Sequence, residues 1–149
     1  MKADFVPNER QRWMQVLARA GDALTQYESR LADRPYQCIR KPETGMAMVR
    51  GRTGGTGQAF NLGEMTVTRC VVQLQDGRAG YSYIAGRNKR HAELAALADA
   101  LLLGEEKGEL MQSMIEPLAR AQLQARQDRE AEVAASKVDF FTLLRGENE

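Results

Sequence analysis

Asp76-Gly77 stands between "MTVTRCVVQL" and "GYSYIAG", and no other stretch narrows the possible folds of this chain so much. An Asp-Gly pair between runs of β-branched and aromatic residues is the strongest short-range signal for an antiparallel hairpin, because both residues tolerate the positive φ of its turn. A two-residue loop pairs Leu74 with Ala79, Val72 with Tyr81 and Cys70 with Tyr83. These side chains share one face, which is the pattern of a half-buried sheet. Arg69, Val71 and Gln73 take the other face, where an arginine is solvated or meets an anion.

A second hairpin is expected upstream. "YQCIRK" and "MAMVRGR" flank Pro42-Glu43-Thr44-Gly45, a plausible connection. Helices bracket the strands. Asn8 caps a first helix with Trp13, Val16, Leu17 and Ala20 at helical spacing, and Asp22 caps a second that carries Leu24, Tyr27 and Leu31 and ends at Pro35. After the strands, Asn88 opens a helix with Leu94, Leu97, Ala98 and Leu101 on its apolar stripe, ending at Gly104. A further helical stretch runs from about Glu106 to Ile115, and Pro117 suits the first turn of another. Helices, then strands in hairpins, then helices predict an α+β fold with an antiparallel four-stranded sheet of two hairpins. The expected organisation is a single domain over 1–149, with N-terminal helices in 1–34, the sheet in 36–86, helices in 88–135 and an apolar tail in 136–149.

A chain of 149 residues, 43% hydrophobic and 28% charged, suits one folded core. Its net charge of +1 selects for neither nucleic acid nor a membrane surface. The opening "MKADFVPNERQRW" lacks an apolar signal core, and no run is long enough to span a bilayer, so a cytoplasmic protein is expected. Cys38 and Cys70 are isolated and His91 is the sole histidine, which argues against a metal site.

The sequence "GRTGGTGQAF" raises the question of a phosphate loop. A Walker-type loop ends in Lys followed by Ser or Thr and then a helix. Here Gly57 leads into Gln58, Ala59 and Phe60, and β structure follows. A hairpin loop or bulge fits better, although a run of free N–H groups can also bind an anion. The candidate contacts are Thr53, Gly54, Gly55, Thr56 and Gly57. A second candidate is "GRNKRHAEL", which places Arg87, Lys89, Arg90 and His91 at a helix N-terminus, where the dipole disfavours cations. An anion nearby would resolve that cost; a solvated basic turn, with His91 satisfied at the sheet edge, is the alternative. Arg90 and His91 precede Leu94 by four and three residues and share its inward face.

The last helix, "PLARAQLQARQDREAEVAAS", offers only Leu118, Leu123 and Val133 as large apolar residues, so it reads as a projecting or partner-bound helix. Ser136 and Asp139 form a capping-box-like pair before "FFTLLRG", in which Phe140, Phe141, Leu143 and Leu144 make an apolar ending suited to another subunit or to the chain's own core.

Three blocks, "TGGTGQAFNLGEMTVTR", "DGRAGYSYIAGRNKRHAELAALADAL" and "REAEVAASKVDFFTLLRGEN", with "RQRWMQVLARA" before them, resemble in order and spacing the G subunit family of the bacterial carbon–phosphorus lyase system. The resemblance implies a function in growth on organophosphonates. The family acts with H and I subunits and an ATPase-like L protein to displace adenine from ATP by a phosphonate, and G, H, I and J subunits form a stable core complex. The resemblance therefore implies a non-autonomous subunit of a transferase that binds no cofactor alone, with ATP as substrate of the complex and an assembly or substrate-positioning role. Two rivals come from other classes. A free-standing nucleotide-binding or hydrolytic enzyme needs a complete site, and one histidine without a nucleophile motif does not supply it. A small RNA-binding module needs excess positive charge or aromatics exposed beside basic residues. Tyr81 and Tyr83 fall on the expected buried face, which counts against it.

Overall fold

The computed structural model describes residues 7–52, 57 and 59–147. Helix α1 (Glu9–Arg19) opens on a capping box in which Asn8 accepts from the Gln11 N–H and the Gln11 side chain accepts from the Asn8 N–H. Both bonds satisfy donors that the first turn otherwise leaves free. A 3₁₀ segment (Gly21–Tyr27) and a single turn, α2 (Glu28–Leu31), follow, burying Leu24 and Leu31. Asp22 does not cap this segment; Ala20 occupies the cap position. Strands β1 (Tyr36–Arg52), β2 (Ala59–Leu74) and β3 (Ala79–Ala85) form one antiparallel sheet in the order β1-β2-β3. Helix α3 (Lys89–Leu102), capped by Asn88, lies across it.

The fold is α+β, but the sheet has three strands among the described residues, not four. Pro42-Glu43-Thr44-Gly45 does not turn; it continues β1, and irregularities between Cys38 and Arg40 and between Arg40 and Glu43 absorb the extra residues. β1 is an edge strand, where proline is tolerated because its missing N–H costs no interior ladder bond. The true connection of β1 to β2 is the glycine-rich stretch, since the strands pair out to Arg52 and Ala59.

The β2–β3 hairpin differs from expectation by one residue. Leu74 N–H donates to the Arg78 carbonyl (2.9 Å) and Gly77 N–H to the Leu74 carbonyl (3.1 Å), enclosing Gln75, Asp76 and Gly77. This is the three-residue loop that ends on a left-handed residue, and Gly77, at φ 95°, supplies it. Cys70 therefore pairs with Ser82, and Val71 with Tyr81. Because strand side chains alternate, this slip moves Tyr81 and Tyr83 out of the core and Ser82 and Ile84 into it.

α3 is the centre of the molecule. Leu94, Leu97, Ala98 and Leu101 are buried as expected, but so are Ala92, Ala95, Ala96, Asp99, Ala100 and Leu102, because strands lie on one side and α1, the 3₁₀ segment and α4 on others. It sits directly on β3: a Cβ at Gly80 would lie 1.9 Å from the Ala96 carbonyl oxygen, so only glycine permits this approach.

After α3 come α4 (Lys107–Leu110), a π turn (Met111–Ile115) and α5 (Glu116–Glu147). The π turn ends two residues before Pro117, whose ring and absent N–H cannot fit a regular α-helical ladder. Ser136 and Asp139 start no new helix; α5 runs through them to Glu147. Leu118 is buried, whereas Leu123, Val133, Val138 and Phe140 are exposed.

Candidate functional site

Two of the four residues at the start of α3, Arg90 and His91, are engaged within the chain. His91 is buried and its Nε2 lies 2.7 Å from the Leu17 carbonyl oxygen, tying α3 to the end of α1. Arg90 pairs with Glu28 and donates to Glu93 (2.7 Å). The Tyr36 hydroxyl and Glu28 hold the Arg90 guanidinium firmly protonated, raising its pKa. Glu93 in turn accepts from the Tyr36 hydroxyl (3.2 Å) and the Cys38 thiol (3.3 Å). Arg87 and Lys89 are exposed and enter no ion pair among the described residues.

The thiols are poor nucleophiles and poor ligands here. Burial pushes Cys70 up to about 12, and burial together with Glu93 raises Cys38. A thiol that stays protonated at neutral pH neither attacks nor ligates readily. Among the described residues no group of three or more His, Cys, Asp or Glu side chains is arranged to hold a metal ion.

Asp99 is the polar centre that the sequence reading missed. Its carboxylate is wholly buried and accepts from Arg10 Nε (3.2 Å) and Nη2 (2.8 Å), Trp13 Nε1 (2.7 Å) and the Tyr81 N–H (2.9 Å). It joins α1, α3 and β3. The available signal was a lone acid inside the apolar run "AALADALLL", where a buried charge demands a partner. At the other end of α3, Arg78 donates to the Leu101 carbonyl, Asp76 and Glu106. The Arg78 guanidinium holds Glu106 down to about 2.

The remaining candidates are spread over the surface. Thr53, Gly54, Gly55 and Thr56 lie outside the described residues; Gly57 is in a bend. The Gly86 N–H bonds the Thr66 carbonyl, which puts Arg87 at the base of the β1–β2 ribbon. The ribbon continues through paired residues to Arg52 and Ala59, about 20 Å beyond β3. The paired ends of the ribbon, Arg52 and Ala59, are therefore not brought near the basic turn along the sheet. Met46, Met48, Phe60 and Leu62 are exposed on this arm. Arg69 is exposed on the open face of the sheet, in register with Tyr83. Phe140 is exposed on α5, and Phe141, Leu143 and Leu144 belong to its last turns. Shallow concavities lie along this helix, lined by Arg126, Glu130, Val133, Lys137 and Phe140. Among the described residues no helix is long and apolar enough to cross a membrane.

The polar clusters are thus closed networks, and the open features are an apolar β arm, a long helix and a sheet face. Comparison with known proteins agrees with the family resemblance in the sequence. The family model described as "Phosphonate metabolism protein PhnG" matches residues 8–146. A protein of Rhizobium meliloti (strain 1021), the "Alpha-D-ribose 1-methylphosphonate 5-triphosphate synthase subunit PhnG", is 42% identical over 144 residues, covering 94% of this chain and 91% of the relative.

Proposed function

The chain belongs to the PhnG family, and from that premise we propose that it is a non-autonomous subunit of a ribose 1-phosphonate 5-triphosphate synthase. The complex transfers the ribose triphosphate of ATP to a phosphonate, displacing adenine, in organophosphonate catabolism. The observation that carries this reading is a relative named as a synthase subunit that matches across 94% of this chain. The partners are the H, I and J subunits of the carbon–phosphorus lyase core and, for the transferase step, the L protein. ATP is a substrate of the complex, and this chain holds no cofactor of its own. The site of action is the cytoplasm.

The role of this chain is assembly or substrate positioning. Two features support it. Catalysis by one chain needs a nucleophile or acid–base pair open to substrate, whereas His91, Glu93 and Asp99 are all committed to internal bonds. The apolar arm and the exposed residues of α5 are the surfaces that a subunit keeps for its neighbours. In this reading Thr53, Gly54, Gly55, Thr56 and Gly57 meet a partner or the shared active site, and Arg69, Arg87 and Lys89 are the cations best placed to meet an anionic group. Phe140, Phe141, Leu143 and Leu144 anchor the C-terminal end.

Coexpression with the H, I and J homologues tests the reading. A stable complex that makes the ribose 1-phosphonate triphosphate with the L protein is the expected result. Truncation after Ser136 and Gly55→Val should each reduce assembly or synthesis. A cooperative monomer that ignores those partners would refute it.

A further inference from the structure

The sheet has one face under α3 and one face open, and the one-residue slip of the β2–β3 hairpin decides what the open face carries. Tyr81 is 49% and Tyr83 55% exposed there. As residues i and i+2 of one strand they stand side by side, about 6.7 Å apart. Tyr83 is in register with Arg69 and then Glu43; Tyr81 is in register with Val71 and then Arg40. Directly opposed residues share a face, so two arginines and one glutamate surround the two phenols.

The platform is built rather than incidental. Arg10 lies 5.6 Å from the centre of the Tyr81 ring while its guanidinium is held by Asp99, so a buried carboxylate fixes the cation that flanks the ring. The Tyr81 N–H is bound to the same carboxylate, which fixes the strand beneath the ring. Arg69 takes part in no ion pair among the described residues, even with Glu43 opposite. An exposed aromatic pair, prearranged on a strand and flanked by an uncommitted arginine, is the chemistry that stacks a flat heterocycle and holds its phosphate.

We infer that Tyr81 and Tyr83 form a stacking site for the base of a purine nucleotide, with Arg69 meeting its phosphates. A two-ring purine covers more of a two-tyrosine platform than a pyrimidine does. The charge balance favours a single nucleotide over a strand of nucleic acid: Asp99 neutralises Arg10, Glu43 stands in register opposite Arg69, and the net charge of the chain is only +1. The inference stands on the sheet geometry and does not require the synthase reading.

A photoreactive azido-adenosine triphosphate tests it on the full chain and on the coexpressed complex, with the labelled peptides mapped. Label is expected within Ala79–Ala85. ATP and adenosine should compete for it, and inorganic tripolyphosphate should not. Tyr83→Ala should lower labelling at least about tenfold, the scale of one lost base–aromatic stack, and Tyr83→Phe should preserve it. Arg69→Ala should weaken labelling by the triphosphate probe and spare that by azido-adenosine. Label confined to other peptides, or equal competition by tripolyphosphate, would overturn the inference. So would stronger competition by poly(U), which would mark an RNA surface. If Tyr83→Ala releases partner subunits without changing labelling, the face is a protein interface and the inference falls. Partner capture and product synthesis report separately on the synthase reading.

Discussion

Asp99→Ala should be among the most damaging single changes in this chain. The carboxylate is fully buried and receives four hydrogen bonds from three donors groups: Arg10 twice, Trp13 Nε1 and the Tyr81 N–H. Breaking a buried ion pair by removing one partner costs about 3–5 kcal/mol, because the surviving charge is left uncompensated. Arg10 is partly exposed, so water offsets some of that cost. The buried Trp13 indole has no such relief, and an orphaned buried donor costs about 1–3 kcal/mol. These contributions overlap, and a net loss of about 3–5 kcal/mol is expected. A domain stability of about 5–15 kcal/mol makes that close to unfolding. Urea denaturation followed by fluorescence is the assay, since Trp13 is the only tryptophan and lies at the site itself. Asp99→Asn should fall between Asp99→Ala and the native chain, because one acceptor remains but the amide cannot accept from every donor. In a double-mutant cycle, Arg10→Ala and Asp99→Asn should be non-additive, since both remove the same contact. A loss below about 1 kcal/mol for Asp99→Ala, in the range of ordinary surface changes, would refute the assignment of Asp99 as the joint between α1, α3 and β3.

Gly80→Ala should cost about 3 kcal/mol or more, read as a lowered urea midpoint, because its Cβ must displace the Ala96 carbonyl and the backbone of α3. His91→Ala should cost about 1–3 kcal/mol by stranding the Leu17 carbonyl, while Arg87→Ala and Lys89→Ala should change stability by no more than about 0.5 kcal/mol. Glu106 is held at about 2 against an ordinary 4.5, so its pairing with Arg78 stabilises the fold fully above pH 4.5 and is lost as pH falls toward 2. Glu106→Gln should flatten the stability profile in that window and leave the profile above it parallel to the native one, as measured by denaturant midpoints against pH. In the complex, Gly55→Val should reduce assembly or synthesis more than Thr56→Ser, and calorimetry of ATP binding to the isolated chain would expose an independent phosphate loop if Gly55→Val abolished it.

Much of the architecture was legible in local signals. The Asn8 and Asn88 caps, the Asp-Gly hairpin and the leucine stripe of α3 are short-range patterns whose physical causes lie within a few residues. The number of strands was not. Pro42 through Gly45 has turn chemistry, yet β2 offers a continuous ladder opposite it, and pairing with that ladder outweighs local preference. The break expected at Ser136 failed for a related reason: a cap signal does not end a helix when the residues before it are themselves good helix formers.

The family resemblance lay in the sequence, in blocks spread from the first helix to the tail, and so did the basic start of α3. What the sequence alone could not supply was the hand each side chain plays. A three-residue rather than two-residue loop turned Tyr81 and Tyr83 outward, because a one-residue slip exchanges the two faces of a strand. His91 and Arg90 look like ligand residues in a linear reading, but they are bonded to groups 74 and 62 positions away. Asp99 looks like a flaw in an apolar helix until α1 and β3 bring Arg10, Trp13 and Tyr81 to it. Periodicity and caps act over one or two turns of chain and are written in the residues themselves. Burial and the partners of a charge depend on elements far apart in sequence, and only packing decides them.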